Sequence, residues 1–159
     1  MFRDVESGRT IFKGYDETIR DHRLREFIVE VDASKIKEAK EKLKPEEVVK
    51  AEMEGKEVKR QGELFFIPAE LELEGYPHHF IPENYDGEWY YDYIKISIAV
   101  YENPSLNMEE GKAKGRKVAE LMGRHTPEFF EVVDSDVFVR GTVTHPEHFT
   151  LELKEWHRV

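Results

Sequence analysis

Apolar residues recur at every second position in some stretches of the chain and at helical spacing in others, and this patterning predicts an ordered set of elements. Residues 26–32 carry Phe27, Val29 and Val31 in phase, which is the pattern of a strand. Asp32 or Ser34 then suits the N-cap of a helix over 35–43, whose apolar set is Ile36, Ala39 and Leu43. Pro45 ends that helix and opens a shorter one, with Glu46 and Glu47 in its first turn and Val48, Val49 and Met53 before Gly55. The stretch 63–73 alternates: Phe65, Ile67, Ala69, Leu71 and Leu73 share one face and Glu70 and Glu72 the other, as in a half-buried strand. Ile94, Ile96, Ile98 and Val100 mark a further strand. Asn107 caps a helix running to about Met122, with Glu109 and Glu110 in its first turn and Gly123 terminating it.

The end of the chain reads as a β-hairpin over 136–144 and 149–158, and its register follows from the side-chain faces. A two-residue loop, Pro146-Glu147, would set Val139 and Val143 beside Glu152 and Lys154. A three-residue loop, Pro146-Glu147-His148, instead gathers Val137, Val139, Val143, Phe149, Leu151 and Leu153 on one face, and is the expected register. It puts His145 at the edge of the apolar face, His148 at the loop tip and His157 in phase with the buried row.

These elements predict an α+β fold: one domain over 1–159, a mostly antiparallel sheet of five or six strands, two to three packed helices and the C-terminal β-hairpin. Residues 1–21 show no clear period and are expected to be extended or partly ordered. Residues 75–92 hold Tyr76, Phe80, Tyr85, Trp89, Tyr90 and Tyr91 with two prolines and two glycines, a long loop packed by its own side chains. Helices and strands do not alternate as in a doubly wound sheet, and no dinucleotide fingerprint is present.

Composition narrows the chemistry. None of the 159 residues is cysteine, which excludes disulfides, thiolate metal sites and a cysteine nucleophile. The formal net charge of -10 disfavours non-specific nucleic-acid binding, although a local basic patch remains compatible with a phosphate ligand. One Gln and three Asn among abundant Lys and Glu match heat-adapted proteins. No run of 18 apolar residues occurs, so no membrane partner is expected, and a cytoplasmic location is. Oligomeric state is not encoded in the pattern.

Four of the seven histidines, His125, His145, His148 and His157, fall in the last 35 residues. Imidazole is the commonest metal ligand and the side chain best poised for proton transfer near neutral pH. His145 and His148 flank one turn, close enough to share a divalent ion such as zinc, manganese or nickel, with His125 or Glu63 completing the set. The alternatives are a thermostable turn and a core-edge His157. Glu63 shares the phase of Phe65 and Ile67, so its carboxylate needs a cation, a metal or donors, and Arg60 or Arg140 is the expected partner of a structural ion pair or a catalytic one. Gln61 stands beside it. Gly111, Lys112, Lys114, Gly115, Arg116 and Lys117, followed by Arg124, form a cationic run that suits phosphate or a solvated helix face, but the Walker pattern is not met.

His148-Phe149-Thr150-Leu151 fits the H-x-T-hydrophobic box of the 2H phosphoesterases, which use two such boxes; the chain has no second one. More broadly, Arg60-Gln61-Gly62-Glu63-Leu64-Phe65-Phe66-Ile67-Pro68 and Val139-Arg140-Gly141-Thr142-Val143-Thr144-His145-Pro146-Glu147-His148, with Trp156-His157, resemble archaeal and bacterial proteins that carry both blocks and have no established activity. The resemblance implies that the blocks belong to one fold. Two functions are compatible with these residues. One is a small, metal-assisted hydrolase of a phosphodiester or nucleotide: His125, His145 and His148 hold the metal, Glu63 and Arg140 join them in catalysis, and Arg60, Gln61, Lys112, Lys114 and Arg116 bind substrate. The other is a non-catalytic binding or regulatory module, of a mobile element for example, that presents the aromatic loop and an acidic surface to a partner.

Overall fold

Turn chemistry sets the main sheet. In the computed structural model, which describes residues 2–3, 10–33, 35–77 and 106–159, Asp134 and Ser135 both take positive φ (48° and 78°). That is the requirement of a type I′ turn, and it joins β7 (Thr126–Val133) to β8 (Asp136–Thr144). Gly62, at φ 61°, makes the two-residue turn between β4 (Lys59–Gln61) and β5 (Leu64–Pro68). With β6 (Tyr76–Pro77) and β9 (Leu151–Arg158) these strands form a six-stranded antiparallel sheet in the order β4-β5-β9-β8-β7-β6. A second sheet holds β1 (Phe2–Arg3), β2 (Thr10–Tyr15) and β3 (Glu26–Glu30). The helices among the described residues are α1 (Ile36–Lys42), α2 (Glu46–Met53) and α3 (Met108–Met122). The expected α+β architecture is present.

The hairpin register near the turn is the one the three-residue loop demands: Val143 faces Leu151 and Gly141 faces Leu153. Beyond Gly141 the pairing shifts, so that Val139 faces His157. The shift is two residues on β9, which keeps His157 in the buried phase; Trp156 beside it is 2% exposed and donates its indole N–H to the Leu73 carbonyl at 3.2 Å. Phe149 departs from the expected apolar face. It is 52% exposed because regular pairing begins only at Leu151, and the Arg25 guanidinium lies 5.8 Å from its ring.

β7 lies outside the predicted elements, and β2 arises in the segment where no period was found. The alternation over 63–73 is cut short at Pro68. Phe66, on the opposite face from the predicted row, enters the main core with Tyr76, Val118, Met122, Phe130, Val139, Val143 and Leu153, while Ile67 packs with Val48 and Ala51 of α2. Both faces of β5 are therefore covered. In α1 only Ala39 is buried, and Ile36 and Leu43 face solvent, because this short helix meets the small sheet at one position. The strand expected over 94–100 and the aromatic stretch beyond Pro77 lie outside the described residues.

α3 is capped as expected: the Asn107 side chain accepts the Glu110 N–H at 3.1 Å, and Gly123 (φ 56°) ends it. Its buried face is Gly111, Gly115, Val118 and Met122. Gly111 is a packing residue here, since a Cβ on it would lie 2.6 Å from the Tyr76 ring. Gly111→Ala should therefore destabilise the protein by about 1–3 kcal/mol despite alanine's better helix propensity, read as a lowered Tm in thermal denaturation. A raised Tm would show that Tyr76 yields freely.

Candidate metal centre

Three connections converge at the end of the sheet near Gly62. His125 follows the α3 terminus, where its N–H bonds to the Met122 carbonyl at 3.0 Å. His145 and His148 lie in the connection between β8 and β9. That connection is stitched to the segment after β2 by three contacts: the Phe149 N–H to the Thr18 carbonyl (2.8 Å), the Arg20 N–H to the Glu147 carbonyl (2.7 Å) and a β-bridge between Ile19 and His148. Gln61, 1% exposed, donates its amide to the carbonyls of Val143 (3.2 Å) and Phe149 (2.5 Å) and so ties β4 to the same connection.

The three imidazoles form one cluster. Ring centroids of His125 and His145 are 4.4 Å apart, those of His145 and His148 4.4 Å, and those of His125 and His148 5.4 Å. Each ring offers a nitrogen within 4.8 Å of the others. Hydrogen bonding fixes which nitrogens are bare. His125 Nδ1 faces the Met122 carbonyl at 2.9 Å, and a carbonyl only accepts, so this nitrogen carries the proton and Nε2 keeps its lone pair. Nε2 of His125 is buried with no partner, a condition proteins seldom tolerate without a ligand.

His148 Nδ1 meets the Thr18 hydroxyl at 3.0 Å. That hydroxyl donates to Asp16 Oδ1 at 2.6 Å and accepts the Gly62 N–H at 2.9 Å, so the contact left to it is to accept from His148 Nδ1. His148 Nε2 is then bare as well. Both bare nitrogens face Gly62, whose missing side chain leaves the space: a Cβ there would lie 2.7 Å from His148 Nε2 and 3.3 Å from His125 Nε2. His145 differs, because its Nδ1 accepts the Glu147 N–H at 3.1 Å. Its proton sits on Nε2, so ligation through that atom requires the ring to give up the Glu147 amide.

Burial, aided by the neighbouring His148, pushes His125 below the ordinary imidazole range, against the Met122 carbonyl, the Glu63 charge and the Gln61 backbone, which pull the other way. Burial, then the neighbouring His125, His148 and Arg124, push His145 down to about 4. His125 and His145 are thus held neutral, the state a metal requires. Because the folded pKa lies below the unfolded 6.5, the unfolded chain binds more protons between pH 6.5 and 4, and the stability is full above that window and lost as pH falls through it. In EDTA the Tm should drop from pH 7 to pH 4.5, and the drop should be shallower for His145→Ala. Equal slopes would remove His145 from this account.

The structure brings together His125, His145 and His148, with Gln61 and Arg60 beside them. Arg60 donates Nε–H to the Gly62 carbonyl at 2.6 Å and lies 3.5 Å from Asp16. Glu63 is exposed at the turn and belongs to no core row, because the β4–β5 turn places it outside. Arg140 rests 5.0 Å from the Trp156 ring and 5.4 Å from Phe129, beside a groove of about 320 Å³ that none of the three histidines lines. Lys112, Lys114 and Arg116 lie along α3. Lys114 pairs with Glu110 (2.6 Å) and Glu131 (2.5 Å), and Arg116 is exposed. His157 is a buried side chain apart from the cluster, its Nδ1 on the Glu155 carbonyl at 2.9 Å. Gly62, Thr18 and Asp16 were not singled out by sequence. The available signal was Asp16-Glu17-Thr18, where the aspartate accepts the N–H two residues on.

No family model, no curated protein and no solved structure matches the chain.

Proposed function

We propose that the chain is a metal-dependent hydrolase of a phosphodiester or nucleotide, with His125, His145 and His148 as the protein ligands of one divalent ion. The observation that carries this reading is the convergence of three imidazoles, two with bare Nε2 atoms facing the space above Gly62. Three protein ligands, rather than the four of structural zinc sites, are the pattern of sites that keep a position for water or substrate. An all-nitrogen set favours zinc or nickel over manganese. The ion would lower the pKa of its bound water toward 7 and so supply hydroxide at neutral pH. Among the described residues, no fourth histidine or carboxylate joins the group. Arg124, which pairs with Glu147 at 3.1 Å, and Arg60 place positive charge around the cluster, which suits an anionic substrate. Glu63, whose charge acts on His125, is the candidate general base.

The test is elemental analysis of the purified chain, its Tm with and without EDTA, and hydrolysis of bis(4-nitrophenyl) phosphate with zinc restored. Stoichiometric metal, a Tm lowered by chelation and zinc-dependent hydrolysis are expected. Metal without hydrolysis of this ester or of nucleotides would reduce the centre to a structural one, and no metal uptake would overturn the reading.

A further inference from the structure

We infer that Asp16 and Thr18, contributed by the segment after β2, are positioning residues of the metal centre that set the tautomer of His148; this rests on the metal reading above. The direction of the hydroxyl decides the matter. Asp16 Oδ1 accepts from both the N–H (2.9 Å) and the hydroxyl (2.6 Å) of Thr18, and a carboxylate has no proton to offer in return. The Thr18 hydroxyl proton is therefore committed to Asp16. Its oxygen accepts the Gly62 N–H and, through the remaining lone pair, the His148 Nδ1–H at 3.0 Å.

One chain of bonds thus runs from carboxylate to hydroxyl to imidazole and ends on a bare Nε2 at the cluster. Outer partners of this kind orient ligating histidines and raise their basicity, and losing one typically weakens metal binding about 10–100-fold. The same Thr18 carbonyl accepts the Phe149 N–H, and Ile19 bridges His148, so the segment holds the backbone of the ligand as well as its ring. Remove the carboxylate, and the hydroxyl is free to turn its proton onto Nδ1. His148 would then carry its own proton on Nε2, the atom the metal needs.

The experiment compares the full-length wild type with Asp16→Ala, Thr18→Val and Thr18→Ser. Long-range proton–nitrogen NMR of the metal-free proteins reads the His148 tautomer, and Co(II) titration at pH 7.5 reads affinity from the visible absorption of the bound ion. The wild type and Thr18→Ser should show Nδ1–H on His148 and Co(II) affinities within about threefold of each other. Asp16→Ala should move the proton to Nε2, and both it and Thr18→Val should bind Co(II) about 10–100-fold more weakly. Asp16→Ala retains the Gly62 contact to Thr18, so it tests the inference even where Thr18→Val fails to fold. Unchanged tautomer and affinity in Asp16→Ala, beside a wild type that binds Co(II), would overturn the positioning role alone. A wild type that binds no Co(II) would overturn the metal reading, and the inference with it.

Discussion

Replacing His145 and His148 together by alanine should abolish stoichiometric metal binding while leaving the chain folded. The two halves of this expectation have separate physical bases. Neither residue belongs to the core that joins α3 to the six-stranded sheet, so the metal-free variant keeps Phe66, Tyr76, Val118, Met122 and Phe130 in place. The cost of emptying the two positions is that of an ordinary substitution, roughly 1–2 kcal/mol, or about 2–8 °C in a chain of this size. The metal-linked part is larger. Metal at a thousandfold excess over Kd adds about 4.1 kcal/mol to the stability of a protein that binds it only when folded, which is about 8–16 °C of Tm. The wild type should show that rise on adding zinc, and the double variant should show none. His157→Ala is the control, because His157 is a buried histidine that stands outside the cluster. It should lower the Tm and leave the zinc-dependent rise intact. A rise that survives in the double variant, or vanishes in His157→Ala, would place the metal elsewhere.

The fold was legible wherever one face of an element dictates its pattern. The C-terminal register is the clearest case: only one loop length put Val139, Val143, Leu151 and Leu153 together, and that is the pairing found beside the turn. β5 was misread in extent, and the burial of its second face at Phe66 was missed, because both its faces are covered, by α2 on the side of Phe65 and Ile67 and by the main core on the other, so alternation did not separate inside from outside. β7 (Thr-Pro-Glu-Phe-Phe-Glu-Val-Val) escaped for a related reason, as Phe130, Glu131 and Val132 are buried consecutively. Of the site, the histidine excess was visible in sequence, and His145 and His148 had to be neighbours across so short a connection. That His125 joins them depends on α3 ending at Gly123 beside the sheet, a tertiary fact. Glu63 was assigned by phase to the core side, and a two-residue turn reversed it. Asp16 and Thr18 were the least legible, since they reach the site from a segment with no periodicity and act through a hydroxyl.

Gly62→Ala should eliminate high-affinity metal binding through a single methyl group. A Cβ at Gly62 falls 2.7 Å from His148 Nε2, 3.1 Å from His148 Cε1 and 3.3 Å from His125 Nε2, and so occupies the space that the two bare nitrogens address. Neither ring can withdraw without loss: His125 is held at Nδ1 by the Met122 carbonyl and His148 at Nδ1 by Thr18. The substitution also places alanine at φ 61°, a backbone region that costs a side chain about 1–2 kcal/mol. That second cost needs its own control, which the chain supplies. Gly55 has φ 82° and nothing within 4 Å of where a Cβ would stand. Gly55→Ala should thus carry the backbone strain alone, with a Tm lowered by about 2–8 °C and Co(II) affinity unchanged. Gly62→Ala should show at least that loss of Tm together with a fall in Co(II) affinity beyond 100-fold, larger than the loss of an outer-shell partner. Equal Co(II) affinities in the two variants would mean that the metal does not sit between His125 and His148 above this glycine.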